Sequence, residues 1–284
     1  MMNNTPLVTI GIPVYNCKEH IALAIRSVLN QTYTNFELII TDDGSTDGTL
    51  DILKQFEDPR ISLVADGKNC GISYRLNQQI DMAKGKYFVR MDGDDIMFPY
   101  RIEKQISYLE KHTEIDVVGS SAVIIGNNNE ILGIRKGTND FISSKDYLFK
   151  ARFIHPTVAG KVSWFKKYYY KEIYNGCEDC NLWIRSFKES KFYTLEEPLF
   201  FYREPLDFKL KTYLFRKAQG RRMRFEERKF IGNNMLVYNF IWKSFLVSFF
   251  VYILHLVHLD SLFIGRRNLV IKEDVGDYDK YLNI

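Results

Sequence analysis

The chain lacks the cationic excess that nucleic acid demands. Its 39 Lys and Arg against 35 Asp and Glu leave a formal net charge of +4 over 284 residues, too mild to imply a phosphate-backbone partner. Cysteine is scarce: Cys17, Cys70, Cys177 and Cys180 are the only four. The opening residues, Met1 to Pro6, are polar, so no export signal is expected and the thiols should be reduced. Cys177-x-x-Cys180 has metal or redox spacing, but no further ligands stand at matching distance, which argues against zinc. Internal repeats and low-complexity stretches are absent, apart from Asn127-Asn128-Asn129, which reads as a hairpin turn. What remains is globular, 46% hydrophobic and rich in Tyr and Phe, with length for one large domain or one domain with an appendage.

The most informative stretch is Val89-Arg90-Met91-Asp92-Gly93-Asp94-Asp95. A β-prone run ends there in three carboxylates and a glycine. Residues two apart on an extended chain point to the same side, so Asp92 and Asp94 present paired carboxylates where the strand stops. Gly93 leaves the backbone open to close approach by a ligand. Like charges this near repel unless a cation or hydrogen bonds intervene. Mg²⁺ or Mn²⁺ held by one or two carboxylates completes its shell with water and substrate phosphates, which points to a diphosphate. A solvated acidic turn has the same local sequence, so context decides.

Val8 to Val14 reads as a buried first strand closed by Pro13, with Asn16 and Glu19 forming an N-terminal cap pattern for a helix ending near Gln31. Strands are expected at Phe36–Ile40, Ile61–Val64, Tyr87–Met91 and Val117–Ile125, with helices at Thr49–Phe56, from Gly71 to Ala83, and Tyr100–Lys111. Such alternation means βαβ units: an α/β fold with a mostly parallel central sheet and helices on both faces. Ligands of these sheets bind beyond the carboxyl ends of the strands, so the polar loops Tyr15-Asn16, Asp42-Asp43 and Asp92 to Asp95 should converge on one edge. Further on, Ile131–Ile134 should pair back on the preceding strand, and His155 to Val158 reads as extended. Glu178-Asp179 feeds a helix from Asn181 to Lys188, and Leu199–Arg203 is a final strand.

Pro13-Val14-Tyr15-Asn16, Asp42-Asp43-Gly44-Ser45, Asp92-Gly93-Asp94-Asp95 and Glu178-Asp179 stand in order along the chain. With the spacers Gln31-Thr32-Tyr33, Asn69-x-Gly71, Asn77, Ala83-Lys84-Gly85, Pro99-x-Arg101 and Leu182-Trp183-x-Arg185, the segment from Leu7 to Arg203 resembles the family 2 glycosyltransferases. The resemblance implies the Rossmann-like GT-A fold and a nucleotide-sugar donor, UDP-linked in the first instance. It implies that Pro13 and Tyr15 wall the base pocket and that Asp43 accepts a hydrogen bond from the base. Asp92 would lie near the ribose, Gly93 would let the donor approach, and Asp94 would hold Mn²⁺ or Mg²⁺ on the diphosphate. Asp179 is then the candidate base for an inverting displacement by an acceptor hydroxyl. The same residue types have plainer uses: Asp43 can cap a helix, Tyr15 can be a core aromatic, and Glu178-Asp179 can favour a helix N-terminus.

Two departures from the family pattern stand out. Cysteines flank Glu178-Asp179, and Phe201-Tyr202-Arg203 occupies the place where some relatives carry a metal-ligating histidine. His155 fits either a contact to substrate or a structural role.

The division expected is a catalytic unit of residues 1–205, with a nucleotide-binding half (1–126) and an acceptor-side half (127–205), followed by a helical tail (206–284). The tail is basic from Lys209 to Lys229 and then almost wholly apolar from Phe240 to Leu259. Twenty such residues can span a bilayer. However, Ser244, Ser248, His255 and His258 fall in a stripe of roughly 80° on a helix, and the basic flank at Arg221 to Lys229 is matched by Arg266 and Arg267. A helix lying in the interface is therefore expected. The protein would then be peripheral on the cytoplasmic face of the cell membrane, with a glycan or lipid-linked glycan as acceptor. A sugar nucleotidyltransferase would want a Gly-rich basic loop after the first strand, and Pro13-Val14-Tyr15-Asn16 is not one. A phosphatase would place its nucleophilic Asp on the first strand rather than the fourth. A catalytically dead scaffold would be expected to have lost Asp43, Asp92, Asp94 or Asp179.

Overall fold

A computed structural model describes residues 5–204, 209–257, 259 and 276–282. The expected βαβ alternation opens the chain. It runs β1 (Val8–Val14), α1 (Ile21–Leu29), β2 (Phe36–Asp42), α2 (Thr49–Leu53), β3 (Ile61–Ala65), α3 (Ile72–Met82) and β4 (Tyr87–Arg90). These strands pair in parallel in the order β3-β2-β1-β4. β1 is buried at all seven positions because neighbours flank it on both sides and helices cover both faces. Pro13 is tolerated in this central strand for a local reason. Met91 donates its N–H to Gly11 O; two residues on, the missing N–H of Pro13 faces the same side, where β4 has ended.

The second half is mixed. β5 (Ile96–Met97), α4 (Arg101–Lys111), β6 (Val117–Ile125), β7 (Ile131–Arg135), α5 (Ser144–Phe149), β8 (Ala159–Lys161), α6 (Val162–Tyr168), α7 (Glu178–Ser186) and β9 (Phe192–Arg203) follow. β8 joins the halves, antiparallel to both β4 and β6, while β9 lies parallel to β6. β7 folds back on β6, as its position after the Asn127–Asn129 turn predicts. One apolar cluster lies around β1, β2, β4 and α1, and a second, rich in aromatics, lies around Trp164, Phe165 and Trp183.

Several local expectations are corrected. Asn16 does not cap α1, which starts at Ile21; it adopts φ +52° and accepts from Thr46 N at 2.8 Å, tying two loops together. His155–Thr157 is a 3-10 turn rather than extended, with Pro156 in its first turn, where a missing N–H leaves no bond unmade. α7 begins at Glu178 itself, so both acidic residues belong to its first turn.

The tail is helical: α8 (Leu210–Glu226), α9 (Arg228–Ile231) and α10 (Asn234–Leu256). The serine stripe on α10 faces inward. Arg221 of α8 donates to Ser248 Oγ at 3.0 Å and Ser244 Oγ at 3.4 Å. Trp242, Phe245, Phe249 and Phe250 therefore point outward, each at least half exposed. Among the described residues α10 is the one helix long and apolar enough to cross a membrane. His258, Arg266 and Arg267 lie outside the described residues.

Gly85 shows how tightly the sheet edge is closed. A Cβ there would stand 2.6 Å from Thr9 N and 2.8 Å from Leu7 O, both backbone atoms. Gly85→Ala should destabilise the fold by about 1–3 kcal/mol, as overpacking does; an unchanged denaturant midpoint would show the contact to be soft.

Candidate active site

The three polar loops do converge. Asp43 N donates to Val14 O at 2.8 Å, and Asn16 N donates to Ser45 Oγ at 2.9 Å. Gly93 packs against the first loop, where an added Cβ would meet Val14 Cγ2 at 3.3 Å and Cys17 Sγ at 3.5 Å. Parallel strands put their carboxyl ends on one edge, and the loops following β1, β2 and β4 therefore share it.

Asp92, Asp94 and Asp95 each offer an oxygen within 4.8 Å of the others, the only such group of three or more His, Cys, Asp or Glu among the described residues. Burial, with Asp92 alongside, pushes the Asp94 carboxyl up to about 6. Asp95 is fully buried, and burial with its two acidic neighbours holds its carboxyl well above the ordinary range. Its Oδ1 accepts from Arg203 N at 2.7 Å, while its Oδ2 has no partner. An all-carboxylate donor set with an orphaned buried oxygen fits Mg²⁺ or Mn²⁺. The spacing marked Asp92 and Asp94 as a carboxylate pair; Asp95 joins them because the chain turns after Gly93.

Two arginines hold this cluster. Arg90 is buried beneath it and pairs with Asp92 at 2.5 Å, leaving Nε and Nη1 without partners. Burial opposes its charge, and Asp92 with Asp95 more than offsets that. Arg203 of β9 donates to Asp94 O at 2.8 Å and to Asn129 Oδ1 at 2.6 Å. Arg203 thus occupies the neighbourhood expected of a histidine and clamps backbone.

A cleft of about 630 Å³ opens beside the cluster, lined by Asp92, Arg90, His155, Glu178, Asp179 and Tyr202 among others. Asp179 has no hydrogen bond or ion pair among the described residues. Glu178 is buried, accepts from Gly176 N at 2.7 Å, and is raised by burial and by Asp179. His155 is held neutral by burial and by Arg90, with Nε2 2.9 Å from Tyr170 Oη. Cys177 and Cys180 are free thiols pushed up to about 12 by burial, which suits neither metal nor redox use.

Pro13, Tyr15, Asp43, Gly93 and Asp94 do not line this cleft; they lie on the adjoining strand ends. Tyr15 is half exposed and is not a core aromatic. Asp43 does not cap α2. It accepts from Cys70 N, Gly71 N and Arg75 Nε at 2.7, 2.9 and 2.9 Å, which leaves about one of four lone-pair directions free. Arg75, fully buried and also paired with Asp66, carries no motif that would single it out, because its partner lies 32 residues away.

A family profile, described as Glycosyl transferase family 2, matches residues 9–174. The chain is 36% identical over 225 residues to EpsE of Bacillus subtilis (strain 168), covering 75% of this chain and 79% of that one. Over 104 residues it is 40% identical to the Escherichia coli UDP-Glc:alpha-D-GlcNAc-diphosphoundecaprenol beta-1,3-glucosyltransferase WfaP, covering 37% of this chain and 41% of that one. Its fold is similar to that of the mannosyltransferase PcManGT from Pyrobaculum calidifontis in complex with GDP-Man and Mn²⁺. The TM-score is 0.60 at 17% identity, covering 85% of this chain and 69% of that one. With the profile spanning more than half its length, the chain belongs to glycosyltransferase family 2.

Proposed function

We propose that this glycosyltransferase moves a hexose, with inversion, from a UDP-sugar to a hydroxyl of a glycan or lipid-linked glycan. The observation that carries the reading is the unpartnered Asp179 carboxylate, which shares one cleft with Asp92 of the three-carboxylate cluster. The nucleotide lies over the ends of β1 and β2, with Pro13 and Tyr15 against the base and the remaining lone pair of Asp43 accepting from it. Asp92 meets the ribose, and Gly93 admits the diphosphate. Asp94, with Asp95 beside it, holds Mn²⁺ or Mg²⁺, which when bound supplies Lewis-acid stabilisation of departing negative charge.

In the transfer itself, Asp179 accepts the proton of the acceptor hydroxyl as its oxygen bonds to the anomeric carbon. The bond from that carbon to the diphosphate oxygen breaks, its electron pair leaving with the nucleotide. A single displacement with one base inverts the centre, unlike the paired nucleophile and acid of retaining hydrolases. Glu178, buried and bonded to Gly176, orients the first turn of α7 and leaves Asp179 to face the cleft. PcManGT with its GDP-Man and Mn²⁺ supports the metal, and the UDP-Glc and diphosphoundecaprenol in the WfaP name support the donor and acceptor classes.

Residues 1–205 act as the catalytic unit, and the tail from 206 attaches it to the cytoplasmic face of a membrane. The outward Trp242, Phe245, Phe249 and Phe250 of α10 support insertion into the interface, with the basic α8 beside anionic headgroups.

Three outcomes follow. Asp179→Asn should cut turnover about 100- to 10,000-fold, the usual range for a general base, with UDP affinity unchanged in calorimetry; parallel loss of both would make Asp179 a structural residue. Asp94 titrates higher in the folded metal-free protein than in the unfolded chain. Its contribution to stability is therefore present below pH 3.8 and lost as pH rises through about 6. Metal needs the ionised form, so thermal stabilisation by Mn²⁺ should grow across that same window and vanish in Asp94→Asn; a pH-independent Mn²⁺ shift would contradict the assignment. Finally, the full-length chain should cosediment with vesicles containing phosphatidylglycerol, and Phe249→Glu with Phe250→Glu should leave it in the supernatant.

A further inference from the structure

The acidic residues of the cleft face an unexpected number of cations. Arg90, Arg135, Lys136, Arg152 and Arg216 all line it. Three are committed within the chain: Arg90 to Asp92, Arg135 to Glu204 at 2.5 Å, and Arg152 to Thr138 O and Thr194 Oγ1 at 2.8 and 2.9 Å. Lys136 and Arg216 are exposed, and neither side chain has a hydrogen bond or ion pair among the described residues.

Arg216 belongs to the tail helix α8, beyond the residues that the family profile matches. Packing brings it to the cleft. α8 turns one stripe toward the catalytic body: Gly220, Met223 and Arg224 are buried, and Arg224 Nε donates to Leu148 O at 3.0 Å. Just past the end of α8, Glu227 accepts from Tyr174 Oη at 3.1 Å. Arg216 lies one turn before Gly220 in that stripe. Its methylenes rest on Gly176, where a Cβ would lie 3.2 Å from Arg216 Cγ and where φ is +81°. Gly176 in turn donates to Glu178, so the loop on which Arg216 rests also holds the start of α7.

We propose that Lys136 and Arg216 form a phosphate-binding subsite for the acceptor, so that the hydroxyl attacked belongs to a molecule carrying a phosphate or diphosphate ester. The inference rests on the transferase reading above and adds the acceptor's chemical class. A divalent ion held at the three-carboxylate cluster would supply the counter-charge of the donor diphosphate. Two uncommitted cations lining the same cleft as Asp179, Arg216 against the turn that precedes it, therefore match a second anion. Lys136 supplies a point charge and Arg216 a planar fork, a combination suited to phosphate oxygens.

The same phosphate chemistry occurs in bilayer headgroups, so the test separates the two sources. Full-length protein is titrated calorimetrically with decyl phosphate, with and without saturating UDP and Mn²⁺, and cosedimented separately with phosphatidylglycerol vesicles. Decyl phosphate should bind in both conditions. Arg216→Ala and Lys136→Ala should each weaken it about tenfold, the scale of one charge-assisted contact, with Arg216→Lys recovering part and UDP affinity unaltered. Equal affinity in wild type and variants, or displacement of decyl phosphate by UDP, would overturn the subsite. Loss of vesicle binding with decyl phosphate binding intact would assign the cations to the bilayer and likewise overturn it. Failure of UDP to bind at all, with decyl phosphate still dependent on both cations, would count against the donor reading alone.

Discussion

Repulsion among Asp92, Asp94 and Asp95 is the constraint to which the surrounding structure answers. Three carboxylates with oxygens within 4.8 Å of one another cannot all ionise freely away from water. The fold offsets part of that cost with a buried guanidinium, Arg90, under Asp92, and with Arg203, which reaches from the last strand to fix the backbone of the same loop. Burial, and after it the Asp92 charge, still pushes the Asp94 carboxyl up to about 6, and burial with Asp94 and Asp92 raises the Cys17 thiol. An arrangement left this incompletely compensated is one a divalent cation completes.

The rest of the sheet keeps the cluster where it is. Gly93 packs against Val14, Ile21 and Cys17, where a Cβ would stand 3.3 to 3.5 Å from their side chains. Arg101 donates from below to Arg90 O and Pro156 O, each at 2.9 Å, joining the floor of the cleft to the turn that carries His155. Asn77 binds both the N–H and the C=O of Tyr170 at 2.9 Å, anchoring the segment between α6 and α7 to α3. Arg185 reaches Tyr168 O and Tyr169 O from α7. Several of the spacer residues that made the family legible are thus clamps on backbone rather than contacts for substrate.

This explains what the amino-acid order disclosed. Period-two and period-3.6 patterns report on local burial, so β1 to β4 and their helices were readable, and the parallel arrangement put three polar loops on one edge. Pairings over long separations were not readable. Arg75 with Asp43 and Arg203 with Asp95 span 32 and 108 residues, and nothing nearby in sequence marks either partner. A periodicity also yields a stripe without its neighbour. Ser244 and Ser248 read as the polar stripe of an interfacial helix, and the structure shows that Arg221 draws them inward and turns the aromatic face of α10 out.

The central claim is that the carboxylate cluster and a divalent cation together form the diphosphate site. Calorimetric titration of UDP above pH 6, with Mn²⁺ and then with chelator, tests it most directly. The account predicts binding at least about tenfold tighter with Mn²⁺, since an ion held by Asp94 and Asp95 would supply positive charge to the diphosphate. Equal UDP affinity with the metal chelated away would contradict it.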